Sequence, residues 1–160
     1  MGAYDKNLPA LNPRKVARGK YGNVYNSSGE HMASVTKFEA KVDFDKQKIK
    51  RSNAFMDGNR IMGGAGKGKM TLYLTDAAMI KEISQDPDAL FDFLGEVNDP
   101  DEYTQEANYK IAILNINYDG VPLLQYDVTG PIEIDLDFTF DDWEWKEIAG
   151  RAVPASESST

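Results

Sequence analysis

Residues 131–140 read PIEIDLDFTF. Ile132, Ile134, Leu136, Phe138 and Phe140 take alternate positions, and Glu133, Asp135, Asp137 and Thr139 fill the places between. Successive side chains of a strand point to opposite sides, so this period of two predicts a strand with one apolar and one charged face. Residues 35–44 repeat the pattern, with Phe38, Ala40, Val42 and Phe44 on one side and Lys37, Glu39, Lys41 and Asp43 on the other. Residues 109–118 are apolar on both faces, as a central strand is. Residues 67–74 and 121–128 are further strand candidates, and residues 47–51 are expected to form the charged partner of 35–44. A hairpin is signalled over residues 21–35, turning at Asn26-Ser27-Ser28-Gly29.

Two short helices are predicted beside these strands. Asp76 is placed to cap AAMIKEI. Asp86 as N-cap, Pro87 at the first helical position and Gly95 as a stop predict another over 86–95, with Leu90, Phe93 and Leu94 on one side. Residues 1–20 lack periodicity and read as an extended arm. Residues 54–66, AFMDGNRIMGGAG, read as a long glycine-rich loop carrying Phe55, Met56, Ile61 and Met62. The expected fold is mainly β, a barrel or sandwich over 21–147 with one or two short flanking helices, and a flexible tail over 148–160.

Composition bounds the chemistry. At 160 residues the chain is one domain, and 41% apolar residues suffice for a packed core. With no cysteine, disulfides, thiolate metal sites and cysteine nucleophiles are excluded, and the one histidine, His31, nearly excludes histidine-based sites. No apolar run approaches the ~20 residues a transmembrane helix needs, and the N-terminus lacks the apolar core of a secretion signal. Net charge is −8, unevenly spread. Residues 1–85 carry 15 basic and 8 acidic residues, while 86–160 carry 3 and 18. Such asymmetry suits a subunit whose one surface meets a different surface of the next copy. It does not suit a duplex-binding groove, which needs a basic footprint.

Candidate sites are weak. Gly63-Gly64-Ala65-Gly66-Lys67-Gly68-Lys69-Met70 approaches a phosphate-binding loop, but Met70 stands where a hydroxyl would hold magnesium, and a strand follows where a helix should begin. Glu133, Asp135 and Asp137 read as one solvated strand face. Asp99, Asp101 and Glu102 lack the glycine and distal glutamate of a calcium loop. Trp143 and Trp145 either pack on the core edge or anchor a partner. No catalytic residue, metal site or cofactor is expected, which leaves a binding or assembly module.

The order of several segments resembles a known family. Gly22-Asn23-Val24-Tyr25 leads to His31-Met32-Ala33-Ser34-Val35, then Phe38-Glu39-Ala40-Lys41-Val42, then Gly66-Lys67-Gly68-Lys69-Met70-Thr71-Leu72-Tyr73. Asn98-Asp99-Pro100-Asp101-Glu102-Tyr103 follows, and Phe138-Thr139-Phe140-Asp141-Asp142 closes the series. Over roughly residues 15–145 the chain resembles tail tube proteins of contractile phage tails and phage-tail-like particles, of the type found in PBSX-like prophages. The resemblance implies a β-barrel or sandwich that forms hexameric rings. These would stack into a tube inside a sheath and conduct DNA, without binding it specifically, or ions. Its partners would be other copies of itself and the sheath, tape-measure and baseplate proteins. It would assemble in the bacterial host cytoplasm and end in a virion tail or released particle, with no membrane anchor. In that frame Glu133, Asp135, Asp137, Glu39 and Asp43 are expected to face an acidic lumen. Phe55, Met56, Ile61, Met62, Gly63 and Gly64 would form an inter-ring loop, and Arg14, Lys15 and Arg18 would lie on an acidic neighbour. The alternatives are a monomeric β-barrel ligand-binding domain with 54–66 as its lid, and a nucleotide-binding enzyme using the near-miss loop.

Overall fold

The computed structural model describes residues 8–154. Within them lie β1 (Gly22–Tyr25), β2 (Val35–Ile49), β3 (Gly58–Tyr73), α1 (Ala78–Gln85), β4 (Phe91–Val97), β5 (Tyr109–Tyr118), β6 (Glu133–Phe140), β7 (Asp142–Ile148) and β8 (Arg151–Ala152). The pairings are antiparallel, in the order β1-β4-β5-β6-β3-β2, with β7 also on β5 and β8 on β7.

This path folds over into two layers. The N-terminal part of β5 pairs with β4 and β7, whereas Asn117 and Tyr118 pair with β6. Between them Asn115 adopts φ 58°, a left-handed conformation that asparagine tolerates, and its N–H donates to Asp92 Oδ1 at 2.9 Å. The strand turns a corner there. A second crossing lies at Asp141, between β6 and β7. The layers meet face to face, with Phe38 of β2 edge-on to Phe93 of β4 at 6.3 Å. The result is a sandwich; the sheet does not close into a barrel.

β6 behaves as its alternation predicts. Ile134, Leu136, Phe138 and Phe140 are buried, and Glu133, Asp135, Asp137 and Thr139 are exposed. The glycines of β3 find their explanation here. Gly66 and Gly68 lie directly opposite Phe140 and Phe138. A Cβ on Gly66 would sit 2.6 Å from the Phe140 ring, and one on Gly68 would overlap the Phe138 ring and the Glu39 carbonyl. The aromatic rings of β6 lie across the positions that β3 leaves empty, the cross-strand pairing of a strand glycine with an aromatic neighbour. The near phosphate-binding motif is therefore a strand interior.

Several expectations are corrected. Residues 58–66 are strand, so 54–66 is not a long loop and supplies no lid. Residues 47–49 continue β2, and the true partner of 35–44 is β3. The segment 86–95 is not a helix. Asp86 caps the C-terminus of α1, Ala89 N–H donates back to the Asp86 carbonyl at 3.1 Å, and Phe91 begins β4. The Asp-Pro signal stopped one helix instead of starting another, because the residue before proline is held extended. Residues 121–128 form no strand: Gly120, Pro122 and Gly130 punctuate them, and no neighbour offers an edge. Asp76 does cap α1, accepting from Ala78 N–H at 2.9 Å. The first residues of the segment read as a tail instead turn through Ala149 and Gly150, both at positive φ, into β8.

Candidate assembly interface

β3 pairs with β6 from Gly66 to Tyr73, but β2 and β3 remain paired out to Ile49 opposite Gly58. From Phe44 outward the ribbon has two strands and, among the described residues, no third. At ~3.3 Å per residue it projects about 20 Å. Phe44, Ile49, Phe55, Met56, Ile61 and Met62 are all exposed on it, Phe55 fully. Residues 44–62 carry five Lys/Arg and two Asp/Glu. A lone two-stranded ribbon is marginally stable in water, and a cluster of exposed apolar side chains marks a contact surface.

The residues expected on an inter-ring loop thus share this projection. Phe55 and Met56 lie in its turn, and Ile61, Met62, Gly63 and Gly64 lie within β3. Sequence reasoning missed that Phe44 and Ile49 join them. The signal was present: Lys46, Lys48 and Lys50 keep the period of two well past Phe44.

The charged face of β2, β3 and β6 is solvent-exposed in the single chain. Glu39 pairs across to Lys69 and Lys69 to Asp137; Lys41 pairs to Lys67; Lys37 pairs to Thr71 and Thr71 to Asp135. Lys69 Nζ reaches Glu39 at 4.0 Å, and Thr71 Oγ1 donates to Asp135 at 2.7 Å. Five acids (Glu39, Asp43, Glu133, Asp135, Asp137) share the face with Lys37, Lys41, Lys67 and Lys69. The face is a chequerboard, not the acidic surface expected, because β3 inserts its lysines between the two acidic strands.

The arm binds its own chain. Arg18 donates through Nε and Nη2 to the two oxygens of Asp99, at 2.9 and 2.7 Å, and its backbone N–H adds a third bond. Asp99 is fully buried. The Arg18 hydrogen bonds outweigh the cost of that burial and hold the Asp99 carboxyl well below its ordinary value. Asn108 and Thr104 donate to the Asp99 carbonyl. Arg14 reaches Asp101 at 3.3 Å and stacks over the Tyr103 ring at 4.0 Å. Asp99 and Asp101, read as half a calcium loop, are the receptor for Arg18 and Arg14. Lys15 is exposed beside them.

Trp143 packs against the core, and Trp145 lies 5.8 Å from Tyr109. Both are half-buried at the sandwich edge. Among the described residues no cluster of acids and histidine is placed to hold a metal, and no helix is long and apolar enough to cross a membrane.

Known proteins share this architecture. The chain is 24% identical over 143 residues to the phage-like element PBSX protein XkdM of Bacillus subtilis (strain 168), covering 86% of this chain and 95% of that protein. Its fold matches a chain of an extracellular contractile injection system, the PVC sheath–tube complex in its extended state, with TM-score 0.60, 8% identity and coverage of 82% and 88%. It also matches a chain of the anti-feeding prophage cap, which terminates that tube, with TM-score 0.62, 12% identity and coverage of 89% and 97%. The family described as phage tail tube protein matches residues 9–147, and the chain belongs to it.

Proposed function

We propose that this chain is the subunit of the inner tube of a contractile tail or phage-tail-like particle, closing into hexameric rings that stack around a channel. The observation that carries the reading is the two-stranded ribbon. It is apolar and basic, has no third strand in its own chain, and gains one only from a neighbour. Phe55, Met56, Ile61 and Met62 are its contacts to the next ring.

In this reading Glu133, Asp135, Asp137, Glu39 and Asp43 line the channel, interleaved with Lys37, Lys41, Lys67 and Lys69. Nearly balanced charge gives DNA phosphates no continuous basic track to grip, so a strand slides through without release of bound counterions. The outer wall meets the sheath, and the tube ends meet tape-measure and baseplate proteins. Lys15, with exposed Leu8 and Leu11, is the part of the arm left to touch a neighbour. Assembly takes place in the bacterial host cytoplasm, and the product is a tail or a released particle.

Negative-stain microscopy of the purified chain tests this, with hollow sixfold tubes or rings expected. A stable monomer at high concentration overturns it. A tube map with Glu133, Asp135 and Asp137 on the outer wall overturns the channel assignment alone.

A further inference from the structure

The ribbon tip needs a receiving surface, and one lies at the far end of the molecule. β3 runs from Gly58 at the tip to Tyr73, which pairs with Glu133 at the start of β6. Leu74 N–H donates to the Ile132 carbonyl at 3.0 Å, and Asp119 N–H to the Asp137 carbonyl at 2.8 Å. Residues 120–131 therefore leave and re-enter the sheet at the end opposite the tip, about 50 Å away along β3.

That loop has no regular structure, yet it carries four large apolar side chains. Val128 is 90% exposed, Leu124 83%, Leu123 75% and Tyr126 68%. Its ends are fixed by the Asp119 bond, and by Asp127, which accepts from Thr129 N–H and Oγ1 at 3.0 and 2.7 Å. A loop of this length that holds its shape while exposing apolar groups has the character of a binding loop. The chain's own arm does not cover it, since Arg18 and Arg14 are held on Asp99 and Asp101, beyond the other end of β4.

Charge selects the occupant. Residues 119–133 hold three acids and no base, and the adjoining 74–90 hold four acids and one base. The tip has a net charge of +3 from its five bases and two acids. An apolar, basic end and an apolar, acidic end on one molecule are complementary, and a contact between opposite ends is heterologous and repeats without closing.

Resting on the stacked-tube reading, we infer that loop 119–130 is the seat on which the ribbon tip of a second copy, in the next ring, docks. Phe55 and Met56 pack on Leu123, Leu124, Tyr126 and Val128.

The absence of native cysteine makes this directly testable. Phe55→Cys and Leu124→Cys variants, one carrying a size tag, are mixed, assembled and treated with a short bismaleimide. Met56→Cys replaces Phe55→Cys should the latter not assemble. The expected product is a tagged–untagged dimer in the tube fraction, and a covalent ladder from the double variant. Tubes that form without these cross-links overturn the seat and leave the tube reading standing. Failure of the unmodified chain to form tubes overturns the tube reading instead. A Leu124→Asp/Val128→Asp variant should keep its circular dichroism and unfolding midpoint while polymerising at least tenfold less. Normal tubes from it count against the seat.

Discussion

The two halves of the β2–β3 hairpin have the same backbone and opposite fates. The proximal half, below Phe44, lies against β6, and its inward positions are buried or given up to glycine so that Phe138 and Phe140 fit. The distal half has the same alternation and the same antiparallel ladder, but no third strand and no core beneath it. The same strand pair stabilises one half within the chain and leaves the other for a neighbour. Apolar residues alone do not make a core; what lies opposite them does.

Breaking the proximal half should have the largest effect. Gly68→Val forces a side chain into the Phe138 ring and the Glu39 carbonyl. Overpacking of this kind, with the backbone also blocked, should cost about 3 kcal/mol or more, seen as a lowered urea midpoint or loss of soluble protein. Unchanged stability would show that the glycines have another purpose. Breaking the distal half should leave the fold and remove assembly. With residues 46–62 replaced by Asn-Gly, a two-residue turn that suits a hairpin, stability should change by less than about 1 kcal/mol. The same protein should form no tubes under the microscope. A cooperative loss of the whole domain would mean that the distal half belongs to the core after all.

A third test asks what holds the arm beside this sandwich. Asp99 has its carboxyl lowered from an ordinary value of 3.8 by Arg18. A lowered folded-state value contributes stability that is complete above the unfolded value and is lost as pH falls below it. The thermal midpoint should therefore be flat near neutrality and fall below about pH 4, and Asp99→Asn should lower the neutral plateau and flatten that acid slope. Equal slopes in both proteins would remove Asp99 from the acid response. The smallest effect is expected from salt. Raising ionic strength toward 1 M shortens screening from ~10 to ~3 Å. Tube growth should slow several-fold in light scattering if the basic tip meets an acidic end, while the unfolding midpoint stays put. Growth insensitive to salt would leave the apolar contact as the driving term.

Much of this was legible in the chain. The alternation of 131–140 and 35–44 identified the core strands and their faces, the apolar run at 109–118 identified the shared central strand, and Asp76 identified the start of α1. The reading failed where a local signal had two uses. Asp86-Pro87 is as good an end for one helix as a beginning for another, and Phe91 and Phe93 became strand because Ile116 and Ile113 stood ready to pair with them. Gly63-Gly64-Ala65-Gly66-Lys67-Gly68 looked like a loop because glycine usually breaks strands. Its alternation made sense once two phenylalanines some 70 residues later were seen to occupy the spaces.

By itself the sequence determined which residues form a core and which stay wet, along with the absence of thiol chemistry and the imbalance of charge between its halves. Each of these depends on residue type and short-range spacing, which a chain carries wherever it goes. Tertiary structure alone decided that Arg18 closes on Asp99, that β3 lysines divide two acidic strands, and that a basic tip and an acidic loop stand at opposite ends. Those are facts of register and topology, set by pairings between segments far apart in the chain, and no local pattern encodes them.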